Sequence, residues 1–165
     1  MQRLFSPWRS EYIESFQFEK SDECVFCSAQ KENEDDENSL LVYKGKEVFI
    51  LMNRYPYNNG HLLIIPYRHI SRISDMTDSE RLETFLLLEK AVEALEQTMC
   101  AQGTNIGTNL GKVAGAGIDD HIHFHIVPRW NGDTNFMPVL ADTKLISEDI
   151  KKTKMKLYKY FKEKL

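Results

Sequence analysis

The chain has 165 residues, 42% of them hydrophobic, and a formal net charge of -4. That is the length of one ordinary domain with enough apolar side chains for a sizeable core. The acidic balance argues against a surface that tracks a nucleic-acid backbone, and no apolar run approaches the roughly 18 residues of a membrane span. Met1 to Ser15 mixes charges and aromatics without a signal-peptide apolar core, so a soluble cytoplasmic protein is expected, with one domain over 1–165.

Three cysteines cannot all pair within one chain. Cys24 and Cys27 form a Cys-X-X-Cys spacing that suits a metal or redox site better than a disulfide framework, and Cys100 reads as a small core residue. The acidic run Glu32 to Glu37 reads as a solvated loop. Val48 to Met52 and His61 to Ile65 are β-branched or apolar and are separated by the Asn-, Pro- and Gly-rich Asn53 to Gly60, which predicts two antiparallel strands and a loop. Thr77-Asp78-Ser79-Glu80 has capping-box spacing. Leu82, Phe85, Leu86, Val92, Leu95 and Met99 then recur at helical intervals until Gly103, which predicts the longest helix with that face on a sheet.

Thr104 to Leu110 and His121 to Val127 read as two more strands, joined by Gly111 to Asp120 with its three glycines. Ser147 to Leu165 reads as an amphipathic helix, with Ile150, Leu157, Phe161 and Leu165 inward and seven lysines on a solvated face. The fold class is therefore α+β: an antiparallel sheet of about five strands, a long helix packed on it and a C-terminal helix.

All five histidines lie between positions 61 and 125, and three alternate in His121-Ile122-His123-Phe124-His125-Ile126-Val127. In a strand, alternate side chains share a face, so three imidazoles stand on one side and Ile122, Phe124 and Ile126 on the other. A lone strand histidine is usually structural, but three in register need three sets of hydrogen-bond partners and are a costly core filling. Two chemistries fit: imidazoles binding a transition metal, or one imidazole acting as nucleophile while its neighbours orient it and donate to a charged substrate. The spacing alone leaves both open.

This alternation followed by two apolar residues resembles the signature of the histidine triad family, as do Asn53-Arg54-Tyr55-Pro56-Tyr57-Asn58-Asn59-Gly60-His61-Leu62 and Pro66 after it. The similarity runs from about Cys24 to Trp130. Leu4 to Ile13 and Val127 to Phe136 are similar to the branch containing diadenosine tetraphosphate phosphorylases.

The resemblance implies that His123 attacks an α-phosphate to give a nucleotidyl-histidine intermediate, resolved by water or phosphate, with His125 positioning phosphate oxygens. It also implies that Asn53 contacts ribose or base, that His61 lies near the phosphate site and that Leu51 walls the base pocket. Backbone N–H groups of the glycine loop, at Gly115 and Gly117, would serve the phosphates, and Asn109, on the preceding strand, is a further candidate for phosphate or ribose. Where relatives often carry Ser, Thr or Gln shortly before the triad, this chain has Ala116-Gly117-Ile118-Asp119-Asp120, so the side-chain donor that would meet the leaving group is missing there.

Two thiolates are half of a zinc site. Zinc-bearing relatives, among them galactose-1-phosphate uridylyltransferases, complete it with histidines that map onto His69 and His121, which implies structural zinc on Cys24, Cys27, His69 and His121. A redox dithiol or a metal-free buried pair are the competing readings. No organic cofactor is expected, and the family implies a homodimer. The leading function is cleavage of dinucleoside polyphosphates such as diadenosine tetraphosphate. A nucleoside phosphoramidase using the same His123 is the nearest alternative, and a zinc-stabilised nucleotide-binding protein without turnover is the alternative of another class.

Overall fold

A computed structural model describes residues 23–134 and 146–165. The phosphorylase-like stretch Leu4 to Ile13 lies outside the described residues, as do Asn135 and Phe136 of the second such stretch. The elements in order are a short helix α1 (Val25–Ala29), strands β1 (Leu41–Lys44), β2 (Val48–Met52) and β3 (Leu62–Pro66), helix α2 (Asp78–Met99), strands β4 (Gly103–Gly107) and β5 (Phe124–Arg129), and helix α3 (Ile150–Lys164). The strands form one sheet in the order β1-β2-β3-β5-β4, every neighbouring pair antiparallel. The α+β architecture is as expected.

β2 and β3 are buried along their whole length, because both sheet faces are covered. On one face Ile50, Met52, Leu62, Ile64 and Ile126 pack beneath α2 and α3. On the other, Phe49, Leu51, Leu63 and Ile65 pack with Phe26 and Ala29 of α1. The second face ends at the histidines, so α1 ties the Cys-X-X-Cys segment to the site.

Thr77 caps α2 with both halves of the capping box: its hydroxyl accepts from the Glu80 N–H at 3.2 Å, and the Glu80 carboxylate accepts from the Thr77 N–H at 2.7 Å. Arg68 donates to both oxygens of the same carboxylate, at 2.7 and 2.8 Å, which explains how Glu80 is tolerated in the interior. The buried face of α2 differs from the expected one. Thr84, Leu87, Leu88, Ala91, Ala94 and Leu95 turn inward, whereas Leu82 is 64% and Phe85 71% exposed. Small Ala91 and Ala94 let the helix lie close to the sheet, and the bulky residues at helical spacing form a second, outward stripe.

Other boundaries move. β5 begins at Phe124, so His121 and His123 precede the regular ladder, and β4 ends at Gly107, which leaves Asn109 in the following loop. Cys100 is exposed, not core: it terminates α2 in the left-handed region at φ 54°. On α3, Leu165 is exposed and Lys154 is fully buried, donating to the backbone carbonyls of Glu34 and Asp36. The acidic turn is thereby pinned to the C-terminal helix. α3 itself starts on an Asp149 cap and stacks Phe161 on Tyr43 of β1, ring centroids 5.4 Å apart.

The loop between β2 and β3 is held firmly. Gly60, at φ +77°, passes so close to α2 that a Cβ there would meet Met99 Sδ at 2.7 Å. Buried Asn58 donates to the Pro128 carbonyl at 3.0 Å and to Asp133 Oδ2 at 2.8 Å, fastening the loop to the end of β5.

Candidate active site and metal cluster

His121, His123 and His125 share one side of the chain. His121 and His123 both pack on Phe26, at centroid distances of 5.6 and 5.0 Å, while Ile122 and Ile126 are buried and Phe124 packs against the core under α2. Each imidazole has a hydrogen-bond partner that fixes which nitrogen carries the proton.

His123 Nδ1 lies 2.9 Å from the His121 carbonyl, an acceptor, so Nδ1 holds the hydrogen and Nε2 keeps a free lone pair. Burial pushes the His123 pKa down, against the opposing pull of the His121 carbonyl, so the ring is neutral at pH 7. Thr108 Oγ1 donates to the His123 carbonyl at 2.8 Å and sets the strand position.

His61 and His125 form a directed pair. His61 Nδ1 accepts from the Tyr57 N–H at 3.1 Å and from Asn53 Nδ2 at 3.2 Å. The Asn53 amide is oriented by its Oδ1, which accepts from the Tyr55 N–H at 3.0 Å. Nδ1 of His61 is therefore unprotonated, and Nε2–H donates to His125 Nδ1 at 3.0 Å. That leaves the proton of His125 on Nε2, an atom that is buried and has no partner among the described residues. A buried donor without an acceptor costs roughly 1–3 kcal/mol, and a substrate oxygen would remove that cost. The chain starts at a backbone N–H, which can donate and never accept, so His61 sets a tautomer and does not conduct protons. Burial, then the neighbouring His125 and His123, hold His61 down to about 3, and burial and His123 hold His125 down to about 4.

The expected metal donors converge. Cys24 Sγ is 3.4 Å and Cys27 Sγ 3.7 Å from His121 Nδ1, Cys27 Sγ is 3.3 Å from His69 Nδ1, and all four donor atoms lie within 4.8 Å of one another. Tetrahedral bonds of about 2.3 Å to sulfur and 2.0 Å to nitrogen place neighbouring S and N ligands about 3.5 Å apart, so the spacing fits such an ion. His121 Nε2 faces the Pro66 carbonyl at 2.9 Å, which puts its proton there and turns the Nδ1 lone pair to the thiols. His69 Nε2 lies 3.6 Å from Asp120 Oδ2, a carboxylate on the far side of that ligand. Burial and the facing Cys24 raise the Cys27 thiol pKa, a conflict that a cation between the sulfurs reverses.

The other expected contacts are placed less closely. Leu51 is buried on the same sheet face as Phe26, and Asn53 is engaged with His61. Asn109 stands beside Gly115, which has φ +91°, and Gly115 and Gly117 are exposed; no hydrogen bond among the described residues joins either glycine to a histidine. Phe26, Tyr57, Thr108 and Asp120 were not singled out from sequence. Phe26 lies between the two cysteines and Asp120 precedes the triad, positions that could have suggested roles. Tyr57 lies within the Asn53 to Leu62 stretch that carries the resemblance, whereas nothing local in the sequence marks Thr108.

The HIT domain family model matches residues 34–132, and the chain belongs to the HIT domain family. It is 36% identical to an AP-4-A phosphorylase of Mycobacterium tuberculosis over 158 residues, covering 93% of this chain and 81% of that one. It is 35% identical to an asymmetrical bis(5'-nucleosyl)-tetraphosphatase of Schizosaccharomyces pombe over 95 residues, 58% of this chain and 52% of that one. Among solved structures, a zinc-bound histidine triad family protein from Mycobacterium smegmatis shares the fold, with TM-score 0.67 and 24% identity over 85% of this chain and 94% of that one.

Proposed function

We propose that the protein cleaves dinucleoside polyphosphates, such as diadenosine tetraphosphate, through a nucleotidyl-His123 intermediate. The observation that carries this is the pair of oppositely prepared nitrogens: a free lone pair on His123 Nε2 and, on the next ring at 4.9 Å between centroids, an unpartnered N–H on His125 Nε2. The His123 lone pair forms an N–P bond at the α-phosphorus as the bridging P–O bond breaks. The leaving nucleotide takes that electron pair on oxygen, and the His125 N–H offers it or a neighbouring phosphate oxygen a hydrogen bond. Attack by phosphate or water on the same phosphorus then breaks the N–P bond and restores the imidazole. The names of the relatives above support a dinucleoside polyphosphate as substrate over a phosphoramidate.

Zinc on Cys24, Cys27, His69 and His121 would have four protein ligands and no open position. It would tie α1 to the triad segment, with Phe26 between the cysteines packed on His123. A homodimer joined through β4 is part of the same reading. β4 is an edge strand, its Ile106 is 51% exposed, and Ile106 is paired with Ile126, which faces α2, the helix that carries the open Leu82, Phe85 and Leu86.

The test incubates purified protein with diadenosine tetraphosphate, with and without inorganic phosphate, and resolves the products. Phosphate-dependent ATP plus ADP marks a phosphorylase and phosphate-independent ATP plus AMP a hydrolase. His123→Asn should lose the covalent intermediate and turnover while retaining much of the nucleotide binding. Turnover retained in that variant refutes the assignment.

A further inference from the structure

The Tyr57 ring lies over both histidines of the directed pair, 4.7 Å from the His61 centroid and 5.7 Å from that of His125, nearly parallel to the latter at 22°. It seals His61, which has no solvent exposure at all. Any apolar side chain could provide that seal. Yet Tyr57 itself is 56% exposed, so one π face rests on the histidines and the other is open. Among the described residues its hydroxyl has no hydrogen-bond partner.

This aromatic surface is rigidly held. The Tyr57 N–H is committed to His61 Nδ1, and the adjoining Asn58 is buried and bonded to Pro128 and Asp133. A ring fixed in advance takes a planar ligand without the cost of ordering a loop. Its location matters chemically, since it lies against the ring whose Nε2–H awaits a phosphate oxygen.

We propose that the open face of Tyr57 is a stacking platform for the nucleobase of the leaving nucleotide. This rests on the dinucleoside polyphosphate reading and adds where the second nucleoside binds. Stacking is indifferent to hydrogen-bond pattern, because every base has a π face. The platform therefore selects for a second nucleoside without dictating which base it carries. Because its contribution acts through binding of the remote half, it should appear mainly in KM.

The test compares diadenosine tetraphosphate with adenosine 5'-tetraphosphate, which has the same transferred nucleotide and phosphate chain but no second nucleoside. Steady-state kinetics are measured for wild type, Tyr57→Phe and Tyr57→Leu. Base stacking on an aromatic side chain predicts that Tyr57→Leu lowers kcat/KM for diadenosine tetraphosphate by about tenfold or more, through KM. Tyr57→Phe, which keeps the π face, should retain most of the wild-type kcat/KM on both substrates, and Tyr57→Leu should cost diadenosine tetraphosphate several-fold more than adenosine 5'-tetraphosphate, which shares the contacts to His61 and His125 but has no second base to stack. Equal losses on both substrates, or no loss on either, overturn the platform while leaving the enzyme assignment standing. A wild-type protein that cleaves neither substrate overturns the parent reading and this one with it.

Discussion

Acid should weaken this fold through the His61–His125 pair in a way that can be isolated. Burial and the neighbouring His125 and His123 move His61 from 6.5 down to about 3, and burial and His123 move His125 to about 4. Both folded values lie below the unfolded one, so between them the unfolded chain binds more protons than the native one. Stability therefore rises with pH through this window and is lost as pH falls below about 6.5. At about pH 4.5 an unfolded histidine is almost fully protonated while His61 resists, which costs about 2–3 kcal/mol relative to neutral pH. His125 adds a similar amount, and the two together are a large share of the roughly 5–15 kcal/mol of a typical domain. Equilibrium urea unfolding of wild type and His61→Gln across this pH range separates the term from the carboxylates. The variant should start less stable near pH 7, because glutamine only partly replaces the ring, yet lose about 2–3 kcal/mol less on acidification. Parallel losses in the two proteins would refute the neutral, proton-directed pair on which the His125 donor depends.

Three further outcomes can be measured. Protein purified without chelator should carry about one zinc per chain, and its removal, or Cys27→Ser, should lower the melting temperature; metal-free protein with unchanged melting would remove zinc from the picture. Ile106→Glu places a charge on the β4 edge and should halve the mass seen by sedimentation equilibrium, whereas an unaltered mass would place any dimer contact elsewhere. Lys154→Met should cost about 1–3 kcal/mol in thermal or urea unfolding, because the carbonyls of Glu34 and Asp36 lose their buried donor; an unchanged midpoint would mean water or another group replaces it.

Much of this was legible because it depends on short-range periodicity. Alternation of His with Ile and Phe from His121 to Ile126 is enough to put three imidazoles on one side, and the capping box from Thr77 to Glu80 is a four-residue geometry that the chain satisfies by itself. The convergence of Cys24, Cys27, His69 and His121 came from family resemblance; their spacing along the chain, up to 97 residues between Cys24 and His121, carries no distance information.

Tertiary structure decided what depends on competition between faces. Leu82, Phe85 and Leu86 have helical spacing as good as that of the buried residues, and only the close approach allowed by Ala91 and Ala94 selects which side of α2 meets the sheet. Lys154 reads as one more solvated lysine until the acidic turn folds against it and supplies two carbonyls. The direction of the His61–His125 pair is likewise invisible in sequence. It is set by one backbone N–H at Tyr57 and one oriented amide at Asn53, and a proton's position on an imidazole depends on such three-dimensional partners, not on residue identity.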